Sequence, residues 1–480
     1  MRAAVGIDVG TTGVKALGLS EEGEVIASAE EEYSLATPRP GWAEQDPEDW
    51  WTATQSALGR LGLREIAGIG LSGQMHGLVP LDRNLQVVRP AILWNDQRTG
   101  LECKQIEERL GRPRLIELTG NRALTGFTAP KLLWMRNHEP EHFKQIAHVL
   151  LPKDYVRLRL TGEHSIDVTD ASGTLLFDVA HRRWSEEVVS ALDLDPAWLP
   201  PALESPEVSG QTSDGTPVAA GAGDQAAGAL GVGVDRPGVL SVVLGTSGVV
   251  FAAQAEFTPP DAEASLHVFC HAVPGGWHAM GVMLSAAGSL RWLRDTLGGR
   301  VEYDVLLADA ARWGPGAEGS TFLPYLAGER TPHADPDARG AFTGLSLRHD
   351  RGALVRAVLE GVAYGLRDSL ELMRVVGVDA QRARVSGGGA RSRLWLEIVA
   401  SVLGIPLEIT AVEEGAAYGA ALLGGVAGGI FPNVSEAIEK CVDVRATVEP
   451  VDGWRDSYES GYETFRALYP ALRSSRPAAP

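Results

Sequence analysis

Short apolar runs separated by glycine-rich or charged turns dominate the first part of the chain. Runs of five to eight apolar residues bounded by turn formers are typical of strands. Glu21–Glu24 is predicted to be a turn, and Asp46 followed by Pro47 indicates a helix start with Asp46 as its N-cap. The region from 98 to about 160 is predicted to be rich in helices. The predicted strands are 3–9, 14–20, 25–29, 66–72, 91–94 and 217–222.

A cluster of turn-forming residues at 233–238 interrupts this pattern, and a similar pattern then begins again. A chain of 480 residues is too long for one hydrophobic core. We therefore predict two domains, 1–234 and 235–480. In the second, the predicted strands are 239–244, 249–253 and 383–385, and the predicted helices are 351–375, 392–403 and 454–472, the last with an aromatic packing face.

The stretch 415–434 contains no charged residue. It consists mostly of glycine and alanine, which makes it too weakly hydrophobic for a membrane span. We predict a tightly packed helix instead.

Two stretches of the chain repeat one motif. Val9–Val14 and Leu244–Val249 each contain a Gly-hydroxyl-hydroxyl-Gly turn between apolar runs, and Gly10 and Gly245 are 235 positions apart. Glycine lets the backbone approach a ligand, while amide and hydroxyl groups donate to phosphate oxygens. We predict two hairpin tips that hold a polyphosphate between them. The residues assigned to this role are Gly10, Thr11, Thr12, Lys15, Gly245, Thr246 and Ser247.

Asp8 ends the first predicted strand, directly before the first tip. A strand-end Asp is often only a turn former. Beside a phosphate-binding turn, however, a carboxylate supplies the oxygen ligands that Mg²⁺ prefers. We predict that Asp8 acts near Mg²⁺.

Asp224 follows another apolar strand, and small residues such as Gly221, Gly223 and Ala226 surround it. A helix N-cap is the plain alternative. A cap does not need this much free space, whereas a carboxylate in an open cleft can accept a proton from an attacking hydroxyl group. We predict Asp224 as the catalytic base and, with Asp8, as a candidate metal ligand.

A third turn, at 386–390, leads from a strand into a helix. An unusual helix entry is the alternative. Three consecutive glycines exceed that need and favour close approach of adenine or phosphate. The residues assigned to ATP here are Gly387, Gly388, Gly389 and Ala390.

Two polar loops also follow predicted strands. They offer amide, imidazole, indole and carboxylate groups, which are typical of a polyol pocket. A surface loop is the alternative for a lone histidine. The candidate sugar-binding residues in these loops are Met75, His76, Trp94, Asn95 and Asp96.

Composition excludes several other classes of protein. The net charge of −19 argues against nucleic acid and anionic membranes as partners. Three widely spaced cysteines and no signal-peptide pattern favour a reducing, cytoplasmic location. No Gly-Lys pair occurs, so a P-loop is excluded. His138 and His142 match a zinc-binding spacing, but Pro140 between them would break the required helix.

These motifs together resemble the FGGY family of carbohydrate kinases. The likeness runs in order from residue 4 to about 425. The stretches that carry it are 6–15, 41–47, 72–77, 93–96, 126–131, 151–155, 244–248 and 328–333.

The resemblance implies an α/β protein with two actin-like, ribonuclease-H-like ATPase domains and an inter-domain cleft that binds ATP and a sugar. It implies Asp224 as proton acceptor and Asp8 as an acidic residue near Mg²⁺. The expected reaction is ATP-dependent phosphorylation of the terminal hydroxyl group of D-xylulose. The resemblance also implies sugar contacts at Met75, His76 and Gln225, which stands where some relatives have Asn, and ATP contacts at Thr246, Gly388 and Gly389.

Alternative functions remain open at this point. The acceptor could be glycerol, ribulose or gluconate. A chaperone-like or cytoskeletal ATPase would need a further module, and only one helix is predicted after residue 425. A sugar sensor without turnover would not need both Asp8 and Asp224. The oligomeric state is also open, with a homodimer as one option.

Overall fold

The computed structural model describes residues 2–261, 263, 265–299, 301–412 and 415–474. The strands of the first half are β1 (Ala3–Val9), β2 (Gly13–Leu19), β3 (Val25–Glu32), β4 (Glu44–Gln45), β5 (Ile66–Gly73), β6 (Val79–Leu81), β7 (Ala91–Ile92), β8 (His148–Leu150), β9 (Ile166–Asp167), β10 (Phe177–Asp178), β11 (Arg183–Trp184), β12 (Ala202–Leu203), β13 (Val208–Gln211), β14 (Pro217–Ala219) and β15 (Ala222–Gly223). Its helices are α1 (Pro47–Leu61), α2 (Gly100–Leu110), α3 (Arg112–Thr119), α4 (Thr128–His138), α5 (Pro140–Phe143), α6 (Pro152–Thr161), α7 (Val168–Ser172), α8 (Glu186–Ala191) and α9 (Asp224–Gly231).

The second half continues with the same mixture of strands and helices. Its strands are β16 (Val239–Leu244), β17 (Gly248–Gln254), β18 (His267–Cys270), β19 (Trp277–Met283), β20 (Thr321–Leu323), β21 (Ala341–Thr343), β22 (Arg382–Ser386), β23 (Leu407–Thr410) and β24 (Val444–Val448). Its helices are α10 (Ala287–Thr296), α11 (Tyr303–Ala310), α12 (Arg351–Val375), α13 (Arg393–Leu403), α14 (Gly415–Ala427), α15 (Val434–Cys441) and α16 (Arg455–Ser474). Short 3₁₀ helices lie at Pro196–Trp198, Ala317–Gly319 and Gly388–Arg391.

Two seven-stranded mixed sheets organise the two halves. The first has the order β13-β14-β5-β1-β2-β3, with β15 also paired to β5, and the second has the order β18-β19-β17-β16-β22-β23-β24. In the first sheet β1 is antiparallel to β2 and parallel to β5. In the second, β16 is antiparallel to β17 and parallel to β22. The repeated motif of the sequence therefore corresponds to two equivalent hairpins, one in each sheet.

Helix α14 comes from the second half of the chain but packs on the first sheet, against β1 and β5. Its backbone approaches the strands closely. A Cβ atom on Gly6 would lie 2.0 Å from the Ala417 carbonyl oxygen, and one on Gly70 would lie 1.9 Å from that of Ala420. The prediction of a tightly packed helix is confirmed, and no helix in the described ranges is long and apolar enough to cross a membrane.

Several predicted elements agree closely with the structure. Asp46 caps α1 and accepts a hydrogen bond from the Glu48 amide at 3.0 Å. Helix α12 spans the predicted residues 351–375. In α16, Tyr458 and Phe465 are buried in the core of the second half, which confirms the aromatic packing face. Helix α4 ends before Pro140, as the rejection of the zinc motif required.

Two local predictions and one of the alternatives need correction. The strand predicted at 91–94 ends at Ile92, because the chain turns there and leaves Trp94 38% exposed. The strand predicted at 217–222 is split into β14 and β15 by Gly221, whose φ is +88°. Helix α9 begins at Asp224 itself with Gly223 as its cap, so Asp224 is not the N-cap.

Candidate active site

A cleft of about 460 Å³ is lined by residues from both halves of the chain. A larger open groove of about 770 Å³ lies near Asp46 and Arg159, and none of the predicted site residues is among the described residues that line it. The cleft, in contrast, brings together both predicted carboxylates, both polar loops and the second hairpin tip. Its lining includes Asp8, Met75, His76, Trp94, Asp224, Gln225, Gly245, Thr246, Ser247, Arg330 and Ser386.

The first hairpin tip lies between β1 and β2. The Gly10 amide donates to the Gly13 carbonyl oxygen at 3.0 Å, which closes the turn. The Tyr33 hydroxyl group donates to the Gly10 carbonyl oxygen at 2.5 Å. Trp94 Nε1 donates to Thr11 Oγ1 at 3.0 Å. The tip assigned to ATP is thus joined directly to a loop assigned to the sugar.

Two buried glutamines support this tip from behind, and the sequence patterns assign no role to either. The Gln74 side-chain amide donates to Gly10 O at 3.3 Å and to Gln45 Oε1 at 3.0 Å. Gln45 Nε2 donates to Thr11 O at 2.7 Å. Both glutamines lie in stretches that carry the family resemblance, which was the one sequence signal for them. Their side chains fix the backbone of a glycine-containing turn that would otherwise be mobile.

The second hairpin tip is fixed by the start of α10. The amide groups of Ala287 and Ala286 donate to the carbonyl oxygens of Gly245 at 2.8 Å and Thr246 at 2.9 Å. Ser247 Oγ donates to Leu284 O at 3.4 Å. The second tip is therefore held in place by backbone contacts rather than by buried side-chain amides.

The glycine turn after β22 lies next to the base of this tip, because β22 pairs with β16. Gly387 has a φ of +88°, and a Cβ atom there would lie 2.8 Å from the Leu244 carbonyl oxygen. A Cβ atom on Gly388 would meet no described atom within 4 Å. Gly387 therefore has a structural requirement for glycine, and Gly388 faces open space that a ligand can approach.

The two carboxylates lie on either side of the end of β5. Asp8 pairs in register with Ser72 from one side, and Ala222, two residues before Asp224, pairs with Ser72 from the other. Burial and then the charge of Asp8 raise the pKa of Asp224 to about 7, against hydrogen bonds to Gln225 that lower it. A carboxylate with a pKa near neutrality is suited to accepting a proton at physiological pH.

Asp8 has the environment expected of a metal ligand. Burial raises its pKa, while the Ser72 hydroxyl group and the Lys15 cation lower it. Its Oδ1 atom is buried and has no hydrogen-bond partner among the described residues. Carboxylate oxygens are the preferred ligands of Mg²⁺, so the chemistry of Asp8 and Asp224 fits this ion, and their role as its ligands remains a prediction.

The polar loop after β5 places His76 and Met75 in the lining of the cleft. His76 Nδ1 lies 2.6 Å from the Gly173 carbonyl oxygen. Burial lowers the pKa of His76 to about 3, so the ring is neutral, Nδ1 donates to that oxygen and Nε2 is left as an acceptor. A Cβ atom on Gly223 would lie 2.7 Å from Met75 Cγ. A glycine before Asp224 is therefore needed to let Met75 pack against the backbone at position 223.

Comparison with known proteins consistently identifies one family. The model of the N-terminal domain of the FGGY family of carbohydrate kinases matches residues 3–231, and that of the C-terminal domain matches residues 240–428. The xylulose kinase of Escherichia coli strain K12 is 44% identical over 482 residues, which cover 98% of this chain and 99% of that protein.

The chain belongs to the FGGY family of carbohydrate kinases.

Solved structures of sugar kinases superpose over nearly the full length. A xylulose kinase from Rhodospirillum rubrum has a TM-score of 0.92 and 33% identity, with 98% of this chain and 99% of that chain covered. A gluconate kinase from Lactobacillus acidophilus has a TM-score of 0.94 and 25% identity, with 99% of each chain covered. The predicted fold, two actin-like, ribonuclease-H-like domains with a cleft between them, is confirmed. Because kinases named for different sugars share this fold, the fold alone does not identify the acceptor.

Two of the predicted sugar-binding residues of this FGGY kinase lie outside the lining of the cleft. Both oxygens of Asp96 are engaged, since Oδ2 accepts from the Ala43 amide at 2.7 Å and Oδ1 accepts from the Arg98 amide and from Arg98 Nε, both at 2.9 Å. Asn95 is partly buried, and its Oδ1 has no hydrogen-bond partner in the described part of the chain. Asp96 anchors the loop that carries Trp94, and its sugar contact remains a prediction.

Several residues assigned to ATP also lie outside this lining. Lys15 forms an ion pair with Glu30 at 2.8 Å on the neighbouring strand. Gly10, Thr11 and Thr12 form the first tip, whose carbonyl groups are held from behind as described above. The glycine turn after β22 lies at the end of the second sheet where β16 leads into the second tip. It contains the other four residues assigned to ATP, Gly387, Gly388, Gly389 and Ala390. Their ATP contacts remain predictions.

A buried ionic cluster behind Asp224 has no counterpart in the sequence-based predictions. The Lys153 ammonium lies 2.6 Å from Asp154 and 2.9 Å from Asp170, and it also pairs with Asp167. These three carboxylates are close enough together to hold a metal ion. The lysine already occupies the space between them, so its positive charge takes the place of the metal. Charge compensation of this kind is what permits buried carboxylates.

This cluster is connected to the proposed base through α7. The N-cap Asp167 accepts from the amide of Thr169 at 2.8 Å, and Thr169 Oγ1 accepts from the Gly223 amide at 2.8 Å. The residue before Asp224 is thereby tied to a rigid, fully buried group of side chains.

Arg330 also lines the cleft, and the sequence-based predictions give it no role. It lies in the stretch 328–333, which carries the family resemblance.

Proposed function

We propose that this FGGY kinase transfers the γ-phosphoryl group of ATP to the terminal hydroxyl group of D-xylulose, which gives ADP and D-xylulose 5-phosphate. One observation carries the proposal: a single cleft holds Asp8 and Asp224 from the first half together with the Thr246 tip of the second half. The acceptor is supported by the 44% identity to a xylulose kinase over almost the whole chain.

Asp224 acts as the general base in this proposal. As the acceptor oxygen forms its bond to the γ-phosphorus, its proton moves to the Asp224 carboxylate, and the bond to the bridging oxygen of ADP breaks. The Asp224 pKa of about 7 lets the group bind this proton and release it again at neutral pH. Phosphoryl transfer needs little more than this, together with positioning and charge neutralisation.

The remaining residues position the two substrates. Asp8, with Asp224, would hold Mg²⁺, which supplies positive charge next to the phosphate oxygens. The amide and hydroxyl groups of the two tips bind the polyphosphate from both sides. His76 offers a neutral Nε2 acceptor, and Trp94 offers a half-exposed aromatic face, which suit a polyhydroxylated sugar. Gln225 contacts the sugar beside the base.

Release of ADP with a panel of acceptors tests this function. The purified protein is assayed with MgATP and D-xylulose, D-ribulose, glycerol or D-gluconate, and the expected result is a kcat/KM for D-xylulose at least about tenfold above the others. The Asp224→Asn variant, purified in parallel, controls for contaminating kinases. A higher kcat/KM for another acceptor would replace D-xylulose in the proposal. Sugar binding without sugar-dependent ADP release would favour a sensor and reject the kinase activity.

Three further proposals concern the molecule as a whole. A division at 234/235 separates the strands of the first sheet from those of the second, since β15 ends the one and β16 begins the other. A homodimer and a cytoplasmic location remain predictions from the sequence. Light scattering coupled to gel filtration measures the oligomeric state directly, and a single mass of about 51 kDa would exclude the dimer.

A further inference from the structure

Arg330 is fixed at the wall of the cleft by both of its neighbours in sequence. The Glu329 carboxylate accepts hydrogen bonds from the Leu284 amide at 3.0 Å and from the Arg330 amide at 2.7 Å. On the other side, the Thr331 amide donates to Val282 O, and Thr331 Oγ1 accepts from the Val282 amide, both at 3.0 Å. The backbone around Arg330 is thus attached to the end of β19, so the point from which its side chain extends into the cleft lining is well defined.

The surroundings of Arg330 include residues assigned to each of the two proposed substrates. The Leu284 amide donates to the Glu329 carboxylate. The carbonyl oxygen of the same Leu284 accepts a hydrogen bond from Ser247 Oγ of the second tip at 3.4 Å. On the sugar side, burial lowers the pKa of His76, and the positive charge of Arg330 adds to this effect. Arg330 therefore lies close to both the ATP tip and the sugar contact.

The Arg330 side chain has no protein partner in this position. Within the described part of the chain, no acceptor lies within hydrogen-bond distance of its guanidinium group, and no carboxylate forms an ion pair with it. Its neighbour Glu329 is a weak partner, because burial raises the pKa of that carboxyl group to about 8. A largely desolvated cation without an acceptor is costly, and an anionic ligand would remove this cost.

We propose that Arg330 binds the phosphoryl group during its transfer and then the phosphate group of the sugar product. This inference rests on the proposed function. A guanidinium group offers parallel N–H donors that match phosphate oxygens in two places at once. Charge in phosphoryl transfer is spread over the three equatorial oxygens, and a positioned arginine neutralises it. Among the described residues that line the cleft together with Asp8 and Asp224, Arg330 is the one arginine or lysine.

Two binding measurements and one kinetic measurement separate this role from a contact to the sugar itself. In Arg330→Met, kcat is expected to fall by about 10²–10³-fold, the usual effect of removing one preorganised donor at the developing charge. The dissociation constant for D-xylulose should stay within about threefold of the wild type, and that for D-xylulose 5-phosphate should rise at least about tenfold. Calorimetry measures both constants without turnover.

Two variants serve as controls. Arg330→Lys keeps the charge but not the planar fork, and it should recover part of the product affinity. Arg348→Met removes an exposed arginine that pairs with Glu318 at 2.9 Å, and it should leave kcat and both constants unchanged. If Arg330→Met does not fold, the Arg330→Lys variant carries the comparison.

Each alternative result has a defined consequence. Equal loss of affinity for the sugar and its phosphate would show that Arg330 binds the sugar and would overturn the proposal. Unchanged product affinity with unchanged kcat would assign Arg330 to structure alone. If the wild type prefers another acceptor, the proposed function fails for D-xylulose, while the phosphate ester of that acceptor still tests Arg330.

Discussion

Replacing the proposed base Asp224 by asparagine is expected to make the folded protein more stable at pH 8. Burial and then the charge of Asp8 raise the pKa of Asp224 from 3.8 to about 7. Folding at pH 8 therefore moves an ionised carboxylate into surroundings that disfavour its charge. The amide of asparagine has nearly the same shape but no charge, so it avoids this cost. A gain in stability on loss of function is typical of groups kept for catalysis.

The size of the gain follows from linkage. Each pKa unit corresponds to about 1.4 kcal/mol, so the full shift sets a ceiling of about 4 kcal/mol. Asp224 is only partly buried, and solvent screening reduces the expected gain to about 1–3 kcal/mol. Below a pH of about 4 the carboxyl group is protonated in both states and the gain vanishes. It grows as the pH rises towards about 7 and is constant above that value.

Thermal unfolding at pH 5 and pH 8 measures this effect. The melting temperature of the variant should exceed that of the wild type by about 1–2 °C per kcal/mol at pH 8, and less than half of the gain should be present at pH 5. Asp214→Asn is the matched control. Hydrogen bonds from Thr212 and Thr216 lower the pKa of Asp214, so this variant should lose stability. A loss of stability in Asp224→Asn at pH 8, or a change independent of pH, would refute the reasoning.

Three further predictions use other features of the molecule. Gly70→Ala should destabilise the protein by more than about 2 kcal/mol in urea unfolding, because the new Cβ atom would lie 1.9 Å from Ala420 O. Gly59→Ala in α1 is its control: the new Cβ atom would have no described atom within 4 Å, and the variant should be more stable than the wild type by about 0.5–1 kcal/mol. Lys153→Met leaves the buried Asp167 and Asp170 without their cation, while Asp154 keeps an ion pair with Arg157 at 3.0 Å, and should cost about 3–5 kcal/mol; a change below about 1 kcal/mol would contradict this. In the wild type, kcat/KM for the sugar should rise with pH and reach half its maximum at or below about pH 7, because only ionised Asp224 accepts a proton and a bound Mg²⁺ would lower the pKa of this carboxyl group.

The sequence predicts the hairpins, the main helices and the two carboxylates for a physical reason. Each of these features depends on residues close together in the chain, such as Asp46 before Pro47 or the glycines around Asp224. Alternating apolar residues and turn formers are local signals, and they predict local structure well. The strand expected at 91–94 was wrong in its length because the exposure of Trp94 depends on its contact with Thr11, far away in the sequence.

Contacts between distant parts of the chain explain what the sequence did not predict. The packing of α14 on the first sheet depends on Gly6 and Gly70, which look like ordinary strand residues until the helix is in place. The charged cluster around Lys153 forms from segments that show no shared pattern. Arg330 lies in the cleft only because Glu329 and Thr331 attach to β19. Family resemblance marked the stretch that contains Arg330, but not the direction of its side chain.

Turnover of the Asp224→Asn variant tests the central claim most directly, namely that one carboxylate in the shared cleft accepts the proton of the acceptor hydroxyl group. Single-turnover assays with MgATP and D-xylulose are compared with the dissociation constant for D-xylulose in the same preparation. We expect phosphoryl transfer to slow by about 10²–10⁴-fold while sugar affinity changes little. Transfer at close to the wild-type rate in this folded variant would contradict the account.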